Sequence, residues 1–459
     1  MTTPLALSGA ASDGIPVYLV RGGNGAALPP DLPPRALAWA AATGFDGRKG
    51  TLCPVPGEAG EVACVLFGLG SDPRALDAGR LARLLPAGDY RLAGEIGDGA
   101  LAALGWLLGA YRFERYRKPE PRRARLIPPA GVDRAALERT ARACYLVRDL
   151  VNTPASDLGP AELEQAVREL GREFGAEVSA VVGDALLAMN FPMVHAVGRA
   201  SASPPRVVDL RWGGEADPKV TLVGKGVCFD TGGLNIKPGD SMALMKKDMG
   251  GAANVLGLAR MIMAARLPVR LRVIVAAVEN AISGNAFRPG DVLNSRKGIT
   301  VEIGNTDAEG RLVLGDALAW GDEEAPQVMI DMATLTGAAR VALGPDLPAL
   351  FTDDEGFAAE LAAAGGRLED PMWRLPLWKG YAANLSSEMA DVSHISKGPF
   401  AGSITAALFL QKFVEKAALW AHFDLFAWVA TEKPAAPVGG EAQCIRALFE
   451  VIAARYPSR

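Results

Sequence analysis

Continuous apolar runs that alternate with stretches of helical periodicity constrain the fold of this chain more than any other feature of its sequence. Four such runs lie in its middle, over residues 220–223, 273–278, 299–303 and 328–330. Helix-like segments lie between them, over residues 252–265 and 312–320. Runs that are apolar on both faces are typical of parallel strands that helices cover on both sides. We therefore predict an α/β fold with a central, mostly parallel sheet in this part of the chain.

The composition changes between residues 111 and 129, which indicates a boundary between two domains. This segment reads YRFERYRKPEPRRARLIPP, and its four prolines interrupt any core pattern. The residues before it alternate short apolar runs with Ala- and Leu-rich stretches of helical period, as in a small α/β domain. We predict a small N-terminal α/β domain over residues 1–130, which ends in a basic, proline-rich linker, and a larger α/β domain over residues 131–459.

The charge of the chain argues against a nucleic-acid-binding protein. Its 459 residues include 48 Lys and Arg against 52 Asp and Glu, which gives a formal net charge of -4. No overall positive field therefore draws the chain onto nucleic acid or an anionic membrane. The basic run over residues 112–125 could bind nucleic acid locally. We favour a solvated connector there, because no stacking aromatic residues follow it at regular spacing.

Three further features narrow the class of protein. The start of the chain has no basic region before its apolar stretch, and no window reaches the ~18 apolar residues of a membrane helix. We therefore predict no membrane contact and a cytoplasmic protein. The five cysteines are scattered without CxxC spacing, so a zinc ribbon or a disulfide framework is not expected. Because the three histidines lie far apart, oxygen ligands would have to provide most of any metal site.

Two segments that follow predicted strands combine acidic residues with glycine. The first reads GKGVCFDTGG from Gly224 and continues through Lys237 to Asp248, and the second, GNTDAEGRL, contains Asp307 and Glu309. Residues that follow the strands of a parallel sheet lie at one edge of that sheet, where ligands bind. Asp307 and Glu309 are two residues apart, so in an extended segment their carboxylates would point the same way. Four carboxylates would then converge, those of Asp230, Asp248, Asp307 and Glu309.

Carboxylates this close cannot all stay ionised without a counter-charge, because each raises the pKa of the next. A pair of divalent cations would supply that charge and would lower the pKa of a bound water molecule, which suits hydrolysis. A phosphate-binding loop at Lys225 is a competing interpretation, but Gly226 stands where that motif needs Ser or Thr. Solvated turns would explain any one of the acidic residues, but not two clusters at two strand ends.

At these residues the sequence resembles the leucine aminopeptidase family of dinuclear metallopeptidases, the cytosol aminopeptidases. The segment NTDAEGRL, from Asn305 to Leu312, is the signature of that family. The patterns GKG-x-x-FD-x-GG and K-x-D-MGGAA also match in order, and the similarity extends from about Asn152 to Gly440. The resemblance implies that the larger domain is catalytic and that the substrates are peptides with a free amino end.

The resemblance also implies the ligands of two metal ions, Zn²⁺ or Mn²⁺. One ion would be bound by Asp230, Asp307 and Glu309, and the other by Lys225, Asp230, Asp248 and Glu309. Lys225 would have to be neutral to act as a ligand, which burial and the adjacent cations would favour by lowering its pKa. Lys237 would polarise the scissile carbonyl, and Arg311 would anchor a bicarbonate ion that moves protons.

The resemblance further implies four residues that would bind the substrate. Met245, Thr334 and Gly337 match residues that line the pocket for the first residue of the peptide in this family. Phe426 is bulkier than the residues usual at its position. We therefore expect an enzyme that removes an apolar, leucine-like residue from the amino end of peptides, and the resemblance implies a homohexamer.

Two alternative functions keep the same fold. One is a nucleic-acid-binding regulator, which would use residues 112–125 as its contact. The other is a catalytically inactive scaffold subunit, which we disfavour because every metal and catalytic position of the family is filled.

Overall fold

The computed structural model describes residues 4–9, 14–22, 28–29, 31–94, 97–118 and 124–457 of the chain. The chain divides into two compact units, one of Met1–Tyr145 with Ala430–Val438 and the other of Leu146–Val429 with Gly439–Arg459. The domain boundary at residue 130 stays a prediction beside this division. Residues 119–123 of the predicted basic linker lie outside the described residues.

The first unit is built on a five-stranded sheet. Its strands are β1 (Ile15–Arg21), β2 (Leu52–Pro56), β3 (Val62–Gly70), β4 (Gly88–Ala93) and β5 (Ala124–Ile127). Its helices are α1 (Pro34–Thr43), α2 (Leu81–Leu84) and α3 (Gly99–Gly109), with a 3₁₀ turn over Ala75–Arg80. The strands lie in the order β2-β3-β1-β4-β5, and each neighbouring pair is parallel except β2 with β3. This confirms the small N-terminal α/β domain.

The chain returns to the first unit late in its sequence, over Ala430–Val438. There the Arg83 guanidinium donates hydrogen bonds to the carbonyl oxygens of Lys433 at 3.0 Å and Pro434 at 3.1 Å. Gly79 leaves room for this segment, because a Cβ atom at that position would lie 2.4 Å from the Pro434 carbonyl oxygen. The returning segment is therefore tied into the structure of the first unit.

The second unit contains the later helices and strands. Helix α4 spans Arg134–Asn152 and contains the division between the two units. The helices that follow are α5 (Pro160–Phe174), α6 (Ala185–Ala188), α7 (Pro192–Gly198), α8 (Gly239–Met242), α9 (Gly250–Ala264), α10 (Gly310–Asp322), α11 (Gly337–Leu343), α12 (Glu355–Arg367), α13 (Gly402–Gln411) and α14 (Ile445–Arg455). Further 3₁₀ turns lie over Met245–Met249, Thr306–Ala308 and Lys379–Leu385.

Most strands of this unit form one large sheet. The strands are β6 (Glu177–Val182), β7 (Arg206–Trp212), β8 (Lys219–Asp230), β9 (Arg270–Asn280), β10 (Val292–Asn294), β11 (Thr300–Glu302), β12 (Val328–Ala333), β13 (Ala349–Phe351), β14 (Trp373–Arg374), β15 (Val392–Ser393), β16 (Trp420–Asp424), β17 (Trp428–Val429) and β18 (Gly439–Gly440). Eight of them form the central sheet, in the order β14-β13-β16-β12-β8-β9-β7-β6.

The middle of the central sheet is parallel. Strands β16, β12, β8 and β9 run in one direction, and antiparallel pairs occur towards the edges, at β13, β7 and β6. Strands β8 and β9 are buried on both faces, as their continuous apolar sequence predicts. The prediction of a larger α/β domain with a central, mostly parallel sheet is therefore confirmed.

Small residues allow the covering helices to approach this sheet closely. A Cβ atom on Gly251, near the start of α9, would lie 2.0 Å from the Met332 carbonyl oxygen of β12. The five cysteines are buried thiols, and none belongs to a disulfide in the described part of the chain, in agreement with the sequence. No helix within the described ranges is long and apolar enough to span a membrane.

The third apolar run does not join the central sheet, so the prediction is wrong on this point. The run forms β11, which pairs antiparallel with β10 and parallel with β15 in a separate three-stranded sheet. Of the three residues of β11, only Val301 is buried. A strand in the middle of a parallel sheet is covered by helices on both faces and must be apolar on both. A short strand with one buried residue does not meet this condition, but it can pair in a small sheet. The acidic segment GNTDAEGRL therefore follows a strand of this small sheet.

Candidate metal centre

Strand β8 carries two of the predicted metal ligands, Lys225 and Asp230, on the same face. Regular alternation would turn residues that are five apart to opposite faces of the sheet. The register against β9 shifts between Val227 and Phe229, so that Cys228 is an extra residue in β8. A bulge of this kind reverses the alternation beyond it. Both side chains therefore reach the same acidic cluster.

Asn280, at the end of the neighbouring strand β9, joins the two acidic segments. Its side-chain amide donates hydrogen bonds to Asp230 Oδ1 at 2.9 Å, to the Thr306 carbonyl oxygen at 2.9 Å and to Glu309 Oε2 at 3.4 Å. Sequence reasoning missed this residue. Asn280 could have been predicted, however, because it follows the apolar run 273–278. Polar residues that follow a parallel strand commonly line the site.

Asp307 and Glu309 approach Asp230 through a helical turn, so the expectation of an extended segment is wrong. Thr306–Ala308 forms a 3₁₀ turn, and Glu309 has helical backbone angles of φ -66° and ψ -33°. The Asn305 side chain stabilises this turn by accepting a hydrogen bond from the Asp307 amide at 2.8 Å. The carboxylates still converge. Asp230, Asp307 and Glu309 each offer one oxygen atom, and these atoms all lie within 4.8 Å of one another.

Lys225 connects the fourth carboxylate to this cluster. Its Nζ lies 2.6 Å from Asp248 Oδ2 and 3.1 Å from Glu309 Oε1, and it donates a hydrogen bond to the Thr334 carbonyl oxygen at 3.0 Å. Asp248 lies in the 3₁₀ turn before α9, where Thr334 Oγ1 donates a hydrogen bond to its Oδ1 at 2.9 Å. Gly310 leaves room for the lysine, because a Cβ atom at that position would lie 2.5 Å from Lys225 Cε.

Lys237 contacts the cluster from the loop after β8. Its Nζ lies 2.8 Å from Asp230 Oδ2 and 2.5 Å from Asp307 Oδ1. The loop turns at Gly232, which has a φ of 87° and where a Cβ atom would lie 2.5 Å from the Asn235 carbonyl oxygen. Glycine is therefore needed for the backbone path that brings Lys237 to two carboxylates.

The electrostatics of the cluster favour a bound cation. Burial raises the pKa of Glu309 to about 8, and the charge of Asp230 adds to this effect. Burial also raises the pKa of Asp248 and of Asp307. Burial alone would lower the pKa of Lys225, but the surrounding carboxylates outweigh it and raise that pKa above its ordinary value. Four carboxylates thus share two ammonium groups, and such a set of oxygen donors suits a divalent cation.

Arg311 lies beside the cluster with part of its guanidinium unpaired. Its Nη1 donates a hydrogen bond to the His394 carbonyl oxygen at 2.8 Å, while its Nε has no hydrogen-bond partner in the described part of the chain. Burial lowers the pKa of Arg311 to about 10, so the group stays cationic at neutral pH. The His394 ring contacts backbone groups, and burial lowers its pKa to about 4. His394 is therefore a neutral core histidine.

One cavity of about 400 Å³ is lined by every residue predicted for the site. These residues are Lys225, Asp230, Lys237, Met245, Asp248, Asp307, Glu309, Arg311, Thr334, Gly337 and Phe426. Lys225 and Asp230 lie in the carboxyl-terminal half of β8, Thr334 follows β12, and Phe426 follows β16. The carboxyl ends of three parallel strands therefore meet at the cavity, which is where open α/β sheets bind ligands.

The cavity wall also contains two cations that were not predicted, Lys247 and Arg340. Lys247 Nζ lies 4.5 Å from the centre of the Phe426 ring, and the Arg340 guanidinium lies 5.3 Å from it. Burial lowers the pKa of Lys247 to about 8. No sequence signal marks this group, because its three members are far apart in the chain and only the fold brings them together.

Two family models match the chain over most of its length. The model of the cytosol aminopeptidase family, catalytic domain, matches residues 145–449, and that of the M17 aminopeptidase, N-terminal domain, matches residues 15–129. The chain belongs to the cytosol aminopeptidase family. The resemblance noted in the sequence is thereby confirmed, and membership of this family supports a hydrolase of the aminopeptidase class.

Relatives and solved structures agree with this assignment. The chain is 39% identical over 456 residues to a probable cytosol aminopeptidase of Caulobacter vibrioides, covering 92% of this chain and 91% of the relative. The crystal structure of the cytosol aminopeptidase from Coxiella burnetii has a TM-score of 0.92 at 47% identity, covering 97% of this chain and 98% of that one. The bottromycin maturation enzyme BotP in complex with Mn has a TM-score of 0.86 at 35% identity, covering 96% and 99%. The cytosol aminopeptidase fold thus includes enzymes with different named roles.

Proposed function

We propose that this member of the cytosol aminopeptidase family is a metalloenzyme that removes the N-terminal residue from peptides and depends on two divalent metal ions. The observation that supports this proposal is the convergence of four carboxylates on two lysines at one cavity. When bound, two divalent cations would lower the pKa of a water molecule towards neutrality and polarise the peptide carbonyl. The family resemblance favours Zn²⁺ or Mn²⁺, and the similarity to BotP in complex with Mn supports the latter.

The residues divide into two ligand sets. Asp230, Asp307 and Glu309 would hold one ion, since their oxygen atoms already lie within 4.8 Å of one another. Lys225 and Asp248 would bind the second ion, which would share Asp230 and Glu309 with the first. Lys225 must lose a proton to become a ligand, and its Nζ lies between Asp248 and Glu309 at 2.6 and 3.1 Å. A metal cation would replace the counter-charge that the ammonium group provides in this structure.

Two cationic residues would act on the substrate and on protons. Lys237 is held by Asp230 and Asp307, and a remaining N–H group can donate to the carbonyl oxygen as negative charge develops on it. Arg311 lines the cavity with an Nε that has no partner among the described residues, so it can anchor a bicarbonate ion that carries protons. Each role follows the family resemblance and agrees with the position of the side chain.

The remaining proposals concern specificity and assembly. Met245, Leu425 and the ring of Phe426 give the cavity apolar walls that suit methylene groups, which supports the cleavage of leucine-like first residues. On the family resemblance we also propose a homohexamer that acts in the cytoplasm on peptides with a free amino end.

A peptide with a blocked amino end tests this proposal. The metal-loaded protein should release leucine from a Leu-Ala-Ala peptide and should leave its N-acetylated form intact, because acetylation removes the amine that would bind a metal. Release of the first residue is measured by chromatography, with Glu309→Gln as an inactive control. Comparable rates on the free and the acetylated peptide would contradict an exopeptidase.

A further inference from the structure

The cavity wall holds a buried lysine without an acidic partner. Lys247 is 5% exposed, and its Nζ lies over the face of the Phe426 ring, 4.5 Å from the ring centre. Among the residues that the structure describes, this Nζ forms neither an ion pair nor a hydrogen bond, and the side chain lines the cavity beside Met245. An aromatic face attracts a cation, but it does not replace the hydrogen bonds that an ammonium group loses on burial.

The carboxylates near Lys247 are held by other groups. Asp248, the next residue in the chain, pairs with Lys225 at 2.6 Å. Asp424 is 2% exposed and accepts hydrogen bonds from the amide of Thr336 at 3.1 Å and from its hydroxyl at 2.5 Å. Both acids lie close enough to attract the Lys247 ammonium group, but in the described residues neither forms an ion pair with it.

A second cation increases the positive charge at this end of the cavity. The Arg340 guanidinium lies 5.3 Å from the centre of the Phe426 ring and also lines the cavity. Outside the metal cluster, Asp240 is the one acidic residue in the described lining, and it is exposed. This end of the cavity thus combines apolar walls with two cations that lack a counter-ion within it.

We propose that the pocket for the first residue binds an acidic side chain, that of an N-terminal glutamate or aspartate, with Lys247 as its counter-ion and Arg340 as a second cation. This inference rests on the proposed aminopeptidase function and adds acidic first residues to the leucine-like ones proposed above. Methylene groups of the substrate would pack on Met245 and Phe426, and the carboxylate would supply the charge and the hydrogen-bond acceptors that Lys247 lacks.

A pair of isosteric substrates measures this interaction directly. Peptides that differ only in the first residue, glutamate or glutamine, are compared by kcat/KM on the metal-loaded, full-length protein, with leucine as an apolar reference. Glutamate should be preferred over glutamine by roughly 10- to 100-fold, the range expected for a charge-assisted hydrogen bond in a desolvated site.

Variants assign the preference to the proposed residues. Lys247→Met keeps an unbranched side chain of nearly the same length without its charge, so the glutamate-to-glutamine ratio should fall to about one while leucine is still cleaved. Arg340→Met should lower the ratio less. Lys246→Met is the matched control, because the Lys246 ammonium group donates a hydrogen bond to the Asn152 carbonyl oxygen at 2.7 Å and should leave the ratio unchanged.

The outcomes separate this inference from the function on which it rests. A wild-type ratio near one, or a high ratio that Lys247→Met leaves intact, overturns the acidic pocket while leucine turnover still supports the aminopeptidase. Failure to cleave any of the three peptides with metals bound overturns the proposed function instead. Should Lys247→Met not fold, Lys247→Gln and the wild-type ratio decide the question.

Discussion

Lys225 and Lys237 carry the same functional group, but their surroundings predict different roles. Lys225 is buried in the carboxyl-terminal half of β8, and its Nζ lies 2.6 Å from Asp248 and close to Glu309, as expected of a metal ligand. Lys237 is more exposed and reaches Asp307 from a loop, as expected of a group that must also contact substrate. The two lysines therefore allow metal binding and transition-state stabilisation to be tested separately.

Alanine substitutions should separate these roles. Lys225→Ala should weaken metal occupancy at one site and lose activity that excess metal partly restores, because a ligand is missing. Lys237→Ala should keep both metals and lose kcat by roughly 10²- to 10³-fold, the effect of removing one oxyanion donor, with a smaller change in KM. Elemental analysis beside steady-state kinetics measures both effects.

Lys219→Ala is the control for this pair, since Lys219 begins the same strand and its Nζ donates a hydrogen bond to the Glu324 carbonyl oxygen at 2.7 Å. It should change neither metal content nor kcat. Loss of metal from Lys237→Ala with retention in Lys225→Ala would reverse the two assignments.

Phe426 should limit the size of the first residue that the pocket accepts. Phe426→Ala removes the ring beneath Lys247 and should raise kcat/KM for bulkier first residues relative to leucine, by ~1 to 3 kcal/mol in transition-state energy. The ratio of phenylalanine to leucine release measures the shift. Trp428→Ala is a suitable aromatic control, because Trp428 is not among the residues that line the cavity. An unchanged ratio in Phe426→Ala would show that this ring lines the cavity without limiting the size of the first residue.

The sequence motifs predicted which acidic residues and lysines line the cavity. They did not predict the additional positive charge of Lys247 in its wall. The acidic residues and lysines were predictable because their chemistry requires fixed residue types beside glycine at strand ends. Asn280 was within reach of the same reasoning. Lys247 was not, since an unpaired buried cation is defined by the ring and the carboxylates around it, and these come from distant parts of the chain.

At the scale of elements, the first turn of α10 controls the position of Lys225. Gly310→Ala would put a methyl group 2.5 Å from Lys225 Cε, and the lysine would have to move. We expect a folded protein with weakened metal binding, a reduced kcat/KM and a destabilisation of about 1 to 3 kcal/mol from overpacking. Metal analysis, kinetics and thermal unfolding measure these three effects.

A second helical glycine provides the control for Gly310→Ala. Gly366 lies in α12, and apart from its chain neighbours and the backbone of its own helix, no atom of the described residues lies within 4 Å of a Cβ placed there. Gly366→Ala should therefore leave activity intact and raise stability slightly, because alanine favours helix more than glycine does. A fully active Gly310→Ala protein would show that Lys225 need not be held where the structure has it.

For helices and strands, the sequence did not predict which strands pair with one another or in what register. The run 299–303 predicts a strand correctly, but nothing within it indicates that β10 and β15 are its partners. The bulge at Cys228 is equally invisible, because it is defined by the register against β9. Without that bulge, Lys225 and Asp230 would be assigned to opposite faces of the sheet. Helices such as α5, α9 and α10 depend on local periodicity and were predictable.

The proposed metal ions should be needed both for catalysis and for the thermal stability of the folded protein. Chelation should abolish activity and lower the Tm, because it leaves four carboxylates with only two ammonium groups as counter-charge. Added Mn²⁺ or Zn²⁺ should restore both. Since burial raises the pKa of Glu309 to about 8, protons should compete with metal as the pH falls below that value. Metal affinity by equilibrium dialysis should therefore be weaker at pH 6 than at pH 8. Full activity in protein shown to be metal-free would refute the dinuclear site.

Because the chain returns to the first unit late in its sequence, this unit cannot finish folding early during translation. All five strands of that unit have been translated once residue 127 is made, but Lys433 and Pro434, which accept hydrogen bonds from Arg83, follow only after the entire central sheet. At typical translation rates this delay is on the order of tens of seconds. Until then this segment does not cover the Arg83 guanidinium or the groove at Gly79, so the first unit is completed only after the central sheet has been translated.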